Sequence, residues 1–481
     1  MSHPKSAIFT DLYELTMLQG YWKSGMMERR ACFDLYFRQN PFNGGYTLLA
    51  GMEDALEFLE GLKFTDEDIE YIGSIGFFEK GFLEYLKSFK FTGDIHAIPE
   101  GSVVFPREPL LRVEAPLPEC QLVESALLNI FNFQSLIATK AARVSLEAGK
   151  DNVMEFGLRR AQGVDGALTA SRSAYIGGCA GTSNVEAGKM YGIPVAGTQA
   201  HSWIMAFDSE LEAFRSFVKI YPKNSILLVD TYDTLKSGVP NAIKVALEMK
   251  GEGGRLRGVR IDSGDLAYLS AEARRMFDDA GLKDVIIVGS SDLDEYIIHD
   301  LKIQGAKIDS YGVGTKLVTG DGTSALSIVY KLTALQDADG KWDMKLKVSD
   351  NINKSTLPGI KQVWRLYGTE NEMMADIVEL EGVAHDFSKG VTGYHPVMEY
   401  QNKFYDSIAE AEPLLRQVMK GGRVTVQFPA LKDIRARASL QLERLHPTMR
   451  RLMNPHVYKV SLGPKLKEET DKLLKQNRAD S

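Results

Sequence analysis

His201 stands in the stretch IPVAGTQAHSWIMAF (residues 193–207), where a run of apolar and small residues gives way to Gly197-Thr198-Gln199. The chain holds only eight histidines. An imidazole at the end of an apolar run is either a core residue with one satisfied hydrogen bond or a candidate acid, base or nucleophile. RIDSGDL sets Arg260, Asp262 and Asp265 around Ser263-Gly264. The carboxylates suit Mg2+ or sugar hydroxyls and the arginine suits an anion. Asp265 beside Ser and Gly also suits a helix cap. An arginine in a strand as apolar as VRI is costly to bury unless it meets a charge. EFGLRRAQG pairs Phe156 with Arg159, an aromatic face and a guanidinium able to hold a flat anionic ring. Each alone reads as a core phenylalanine and a surface arginine. DSYGVGTKL brings Gly312, Gly314 and Thr315, and VGSSDLDE brings Gly289, Ser290 and Ser291. Such small residues let backbone amides approach a phosphate, or they form plain turns and a cap at Ser291-Asp292.

The elements that must position these groups alternate from Asp151 to about Val318. Short apolar runs (VMEFG, GGCAG, IPVAGT, SILLVD, LRGVRID, DVIIVGS, IDSYGVG) are separated by helical periodicity. Helices are expected near residues 208–220, with an N-cap at Asp208-Ser209, and near 240–250, 267–280 and 292–304. Alternation implies a parallel sheet, open or closed. The polar residues follow each apolar run: Arg159, then Ser183 and Asn184, His201, Asp230 with Asp233, Asp262 with Asp265, Ser290 and Gly314. In a barrel they converge on one mouth, whereas an open sheet gathers only those at its switch point. The expectation is therefore an α/β chain with an irregular (β/α) barrel of about seven strands over residues 141–345. In it Asp230, on the strand after His201, sits beside the imidazole and orients it. Residues 1–140 read as a flanking segment, helical to 93 and then β over 94–116. Residues 346–481 read as the other flank, irregular and ending in a solvated, charged helix.

Hydrophobic content of 44%, charged content of 25% and a net charge of −7 are those of a globular protein with no nucleic-acid footprint. Cys32, Cys120 and Cys179 are too few and too scattered for a disulfide framework or zinc cluster. No signal peptide, membrane-length apolar window or fixed-period repeat is read, so a cytoplasmic location is expected.

TDLYELTM, EFGLRRAQG, GGCAGTSN, GTQAHSW, LLVDTYDT, RIDSGDL and SYGVGTKL occur in this order. Together they resemble the nicotinate phosphoribosyltransferase family, of the type II phosphoribosyltransferases, over nearly the whole chain. The resemblance implies a barrel of fewer than eight strands and an α/β sandwich domain built from both chain ends. It also implies a homodimer with shared active sites. The implied reaction joins nicotinate to phosphoribosyl pyrophosphate, giving nicotinate mononucleotide and pyrophosphate in NAD salvage, with coupled ATP hydrolysis. His201 then corresponds to a transiently phosphorylated histidine with Asp230 as its partner. Phe156 and, from the other subunit, Tyr13 stack the pyridine ring. Arg159 and Arg260 meet carboxylate and phosphate charges, Thr198 binds substrate, and Asp262, with Asp265, meets ribose hydroxyls or Mg2+–pyrophosphate. Gly289, Ser290, Gly314 and Thr315 cradle the 5′-phosphate. Where nicotinamide-using relatives carry an aspartate, this chain has Ser183 followed by Asn184, donors that accept a carboxylate. A nicotinamide- or quinolinate-specific enzyme and a non-catalytic nucleotide-binding relative are the alternatives.

Overall fold

A computed structural model describes residues 6–150, 152–347, 356–398 and 400–479. The first five residues, Asp151 at the expected start of the alternating segment, and the last two residues of the charged tail lie outside them. The chain divides into two compact units, one of residues 1–139 with 325–481 and one of residues 140–324.

The second unit is built on six parallel strands in the order Gly181–Thr182, Val153–Glu155, Ser310–Val313, Ile286–Ser290, Gly258–Ile261, Ile226–Leu228. Their apolar runs are nearly continuous, as strands covered on both faces require. All seven expected runs contribute, the third only through a parallel bridge from Val195 to Thr182. From Ile226 the strands are laid down in chain order until Ser310–Val313 returns to pair with Val153–Glu155. Among the described residues no ladder joins the Val195 bridge to Ile226–Leu228.

Three of the helices between them start on the following side-chain caps. The Ser209 hydroxyl accepts from the amide of Glu212 ahead of helix Glu210–Ile220. Asp265 accepts from the amide of Tyr268 ahead of Leu266–Asp279. Asp294, rather than the expected Ser291-Asp292, accepts from the amide of Ile297 and caps Glu295–Ile303. Each cap satisfies an amide that has no partner within its helix.

The first unit draws on both chain ends. Its seven-stranded sheet centres on Arg30–Phe37, which pairs antiparallel with Ile328–Gln336 on one side and Leu111–Pro116 on the other. Arg416–Lys420 joins the same sheet beside Asp94–Ala97. Residues 361–462 supply a six-stranded sheet where only irregular structure was expected. One apolar core takes side chains from both, among them Phe33 and Val113 from the first and Val363 and Val378 from the second. The terminal helix Pro464–Ala479 is not simply solvated, because Leu466 and Thr470 are buried.

Candidate active site

A cavity of about 330 Å³ opens at the C-terminal ends of the parallel strands, lined among others by Phe156, Arg159, Ser183, Thr198, His201, Arg260 and Asp262. Parallel strands bring these residues together because each follows the last residues of its own strand or loop. Arg260 is the hub. Its Nε donates to Ser290 Oγ at 2.7 Å, one terminal nitrogen to Thr198 Oγ1 at 3.1 Å and the other to Asp262 Oδ1 at 2.6 Å. Its guanidinium lies 5.8 Å from the centre of the Phe156 ring. The charge that this strand arginine needed is Asp262. Burial works against ionising Asp262, but the Ser290 hydroxyl, Arg260 and His201 together hold its carboxyl below the usual aspartate range.

His201 opens the short helix His201–Met205. Its Nδ1 meets Thr231 Oγ1 at 3.1 Å, and its Nε2 stands 3.9 Å from Asp262 Oδ2. The expectation that Asp230 holds the imidazole is thus corrected: the neighbouring strand does supply the partner, but it is Thr231. Asp230 instead accepts from the Asp262 amide at 2.9 Å and the Ser263 hydroxyl at 2.6 Å. Its other oxygen is buried with no hydrogen-bond partner among the described residues.

Other expected residues take different places. Asn184 is buried; its Oδ1 accepts from the Ala187 amide and caps helix Val185–Tyr191, and its Nδ2 reaches Ser171 and the Ala167 carbonyl. Ser183, not Asn184, lines the cavity. Asp233 accepts from the amides of Leu235 and Lys236. Asp265 is a helix cap, and among the described residues no group of three or more His, Cys, Asp or Glu is set to hold a metal. Of the two aspartates, Asp262 lines the cavity and Asp265 does not. Gly289, Ser290, Gly314 and Thr315 end or follow strands Ile286–Ser290 and Ser310–Val313 but do not line the cavity, and the Ser290 hydroxyl is held by Arg260 and Asp262. Tyr13 belongs to the first unit, exposed on helix Leu12–Lys23. Leu158, Gln199 and Leu228 also line the cavity. Only their closeness to the chosen motifs signalled them, as Thr231 was signalled by following Asp230.

Known proteins agree along the whole chain. Residues 8–132 match the nicotinate phosphoribosyltransferase N-terminal domain, 152–370 the nicotinate phosphoribosyltransferase family and 360–469 its C-terminal domain. Nicotinate phosphoribosyltransferase of Bacillus subtilis (strain 168) is 44% identical, over 95% of this chain and 93% of its own. Nicotinate phosphoribosyltransferase 2 of Arabidopsis thaliana is 38% identical over 95% and 92%. The crystal structure of human nicotinic acid phosphoribosyltransferase superposes with a TM-score of 0.85 at 33% identity, covering 96% of this chain and 99% of that one. Matched by three family models, and 44% identical to a relative over 95% of its length, the chain belongs to the nicotinate phosphoribosyltransferase family of enzymes.

Proposed function

We propose that this chain joins N1 of nicotinate to C1 of 5-phosphoribosyl 1-pyrophosphate, releasing pyrophosphate and forming nicotinate mononucleotide for NAD salvage in the cytoplasm. ATP hydrolysis is coupled through phosphorylation of His201. The observation that carries this reading is the meeting of Phe156, Arg159 and Ser183 with His201, Arg260 and Asp262 around one cavity.

Phe156 offers a face to the pyridine ring, while Arg159 and the Ser183 hydroxyl answer its carboxylate. Nicotinate's nitrogen is already a nucleophile, so the enzyme's task is to hold it in line with C1 while the C1–O bond breaks. Arg260, stiffened by three hydrogen bonds, meets charge on the phosphoribosyl group, and Asp262 meets ribose hydroxyls. Gly289, Ser290, Gly314 and Thr315 shape the strand ends where the 5′-phosphate rests. Mg2+ arrives on the pyrophosphate group as part of the substrate and neutralises the leaving charge. Oδ2 of Asp262, which lines the cavity, is the carboxylate atom that would meet it. Thr231 on Nδ1 leaves Nε2 of His201 as the phosphoryl acceptor. The parallel sheet acts as an irregular barrel whose seventh strand is the Val195 segment, and the unit of both chain ends is an α/β sandwich. Two copies share active sites, Tyr13 coming from the second.

Pyrophosphate release, measured with nicotinate, nicotinamide or quinolinate and with or without ATP, tests this directly. ATP-stimulated release with nicotinate alone is expected. Release only with nicotinamide would overturn the role given to Ser183, and silence with all three would overturn the reaction.

A further inference from the structure

Glu155 is the last residue of strand Val153–Glu155 and is buried to 1% exposure, directly behind the cavity. One carboxylate oxygen accepts from the amide of Gly157, between Phe156 and Leu158 on the wall that carries the aromatic ring and Arg159. The other accepts from Thr182 Oγ1 at 2.5 Å and Ser171 Oγ at 2.9 Å. The Thr182 hydroxyl in turn accepts from the amide of Asn184 at 2.9 Å, and the amide of Ser183 donates to the Glu155 carbonyl at 2.9 Å. Ser183 is therefore bracketed: its own amide and the Thr182 side chain are tied directly to Glu155, and the Asn184 amide is tied to it through the Thr182 hydroxyl. A carboxylate is suited to the place because it accepts at both ends and donates at neither.

We infer that Glu155 is a positioning residue that sets the spacing between the Phe156–Arg159 wall and Ser183, and so governs affinity for the carboxylate end of the pyridine substrate. This rests on the assignment of that cavity to nicotinate. Glu155 touches no substrate; it acts through Gly157 and Thr182. A glutamine of the same shape must place its NH2 either against the Gly157 amide, donor against donor, or against hydroxyls that then lose their acceptor.

The test compares Glu155→Gln, Thr182→Val and the wild type by KM for nicotinate, KM for phosphoribosyl pyrophosphate, kcat and Tm. In Glu155→Gln the nicotinate KM should rise about tenfold and in Thr182→Val about threefold, while the other two kinetic constants stay within about twofold. A merely structural carboxylate would lower Tm without moving the ratio of the two KM values. Thr182→Val removes one hydroxyl and keeps the question open to measurement if Glu155→Gln fails to fold. An unmoved ratio in Thr182→Val overturns the inference, as does an equal rise of both KM values. A wild type that releases no pyrophosphate with nicotinate fails differently, by removing the site assignment on which Glu155 depends.

Discussion

At the residue scale, the imidazole of His201 is hydrogen-bonded at Nδ1 and faces a carboxylate at Nε2. Thr231 fixes the ring through Nδ1, and Asp262 lies 3.9 Å from Nε2. His201→Ala should abolish ATP hydrolysis coupled to turnover while slow, ATP-independent transfer survives. Coupling that persists in this variant would remove the phosphohistidine from the mechanism. Glu14 makes a second, unrelated prediction. It is fully buried in the first unit, and burial, helped by Glu124, pushes its pKa up to about 8 from 4.5. The folded chain thus keeps a proton that the unfolded chain loses, so Glu14 lowers stability progressively as pH rises from about 4.5 to about 8, then no further. Glu14→Gln cannot ionise. Its Tm should gain on the wild type across that window, and parallel Tm curves between about pH 5 and pH 9 would contradict the assignment.

Among the elements, strand Ser310–Val313 shows why a glycine is needed at one point. A Cβ on Gly312 would lie 2.5 Å from Cδ2 of Phe156 and 2.7 Å from Cε2, closer than real side chains pack. Gly312→Ala must therefore push the Phe156 ring, which is proposed to stack on the pyridine. The nicotinate KM should rise about tenfold or more, with a far smaller effect on phosphoribosyl pyrophosphate. Equal KM values in mutant and wild type would show that Phe156 does not hold the substrate. The short parallel strands and their helices were legible because their signals are local, namely continuous apolar runs and caps such as Ser209. Strand Arg30–Phe37 was not, because RACFDLYF sits in an otherwise helical stretch and its partners lie near residues 111–116 and 328–336. The same holds for the sheet of residues 361–462, where Asp376 pairs with Val460, 84 residues on. Pairing at that range leaves no local period to read.

For the whole molecule, the decisive question is whether two chains complete one site. If Tyr13 comes from a second copy, mixing Tyr13→Ala with His201→Ala chains under exchange creates hybrid dimers in which one of the two sites has both native residues. Mixed samples should recover about a quarter of the ATP-stimulated wild-type rate. A rate equal to the average of the two parents would make each site self-sufficient. The family and the chemistry were written in the order of the motifs, since phosphate, ring and imidazole need particular residue types whatever carries them. The rhythm of strands and helices also pointed to a meeting of Phe156, Arg159, Ser183, His201, Arg260 and Asp262. It did not point to the exclusion of Asn184, Asp233, Asp265 and the glycine loops from their cavity. Nor did it say which donor meets which acceptor. Thr231 rather than Asp230 on the imidazole, Asn184 turned away into a helix cap, and Glu155 tying two walls together are matters of rotamer and register. Those depend on neighbours brought together from distant parts of the chain, and only the packed structure brings them there.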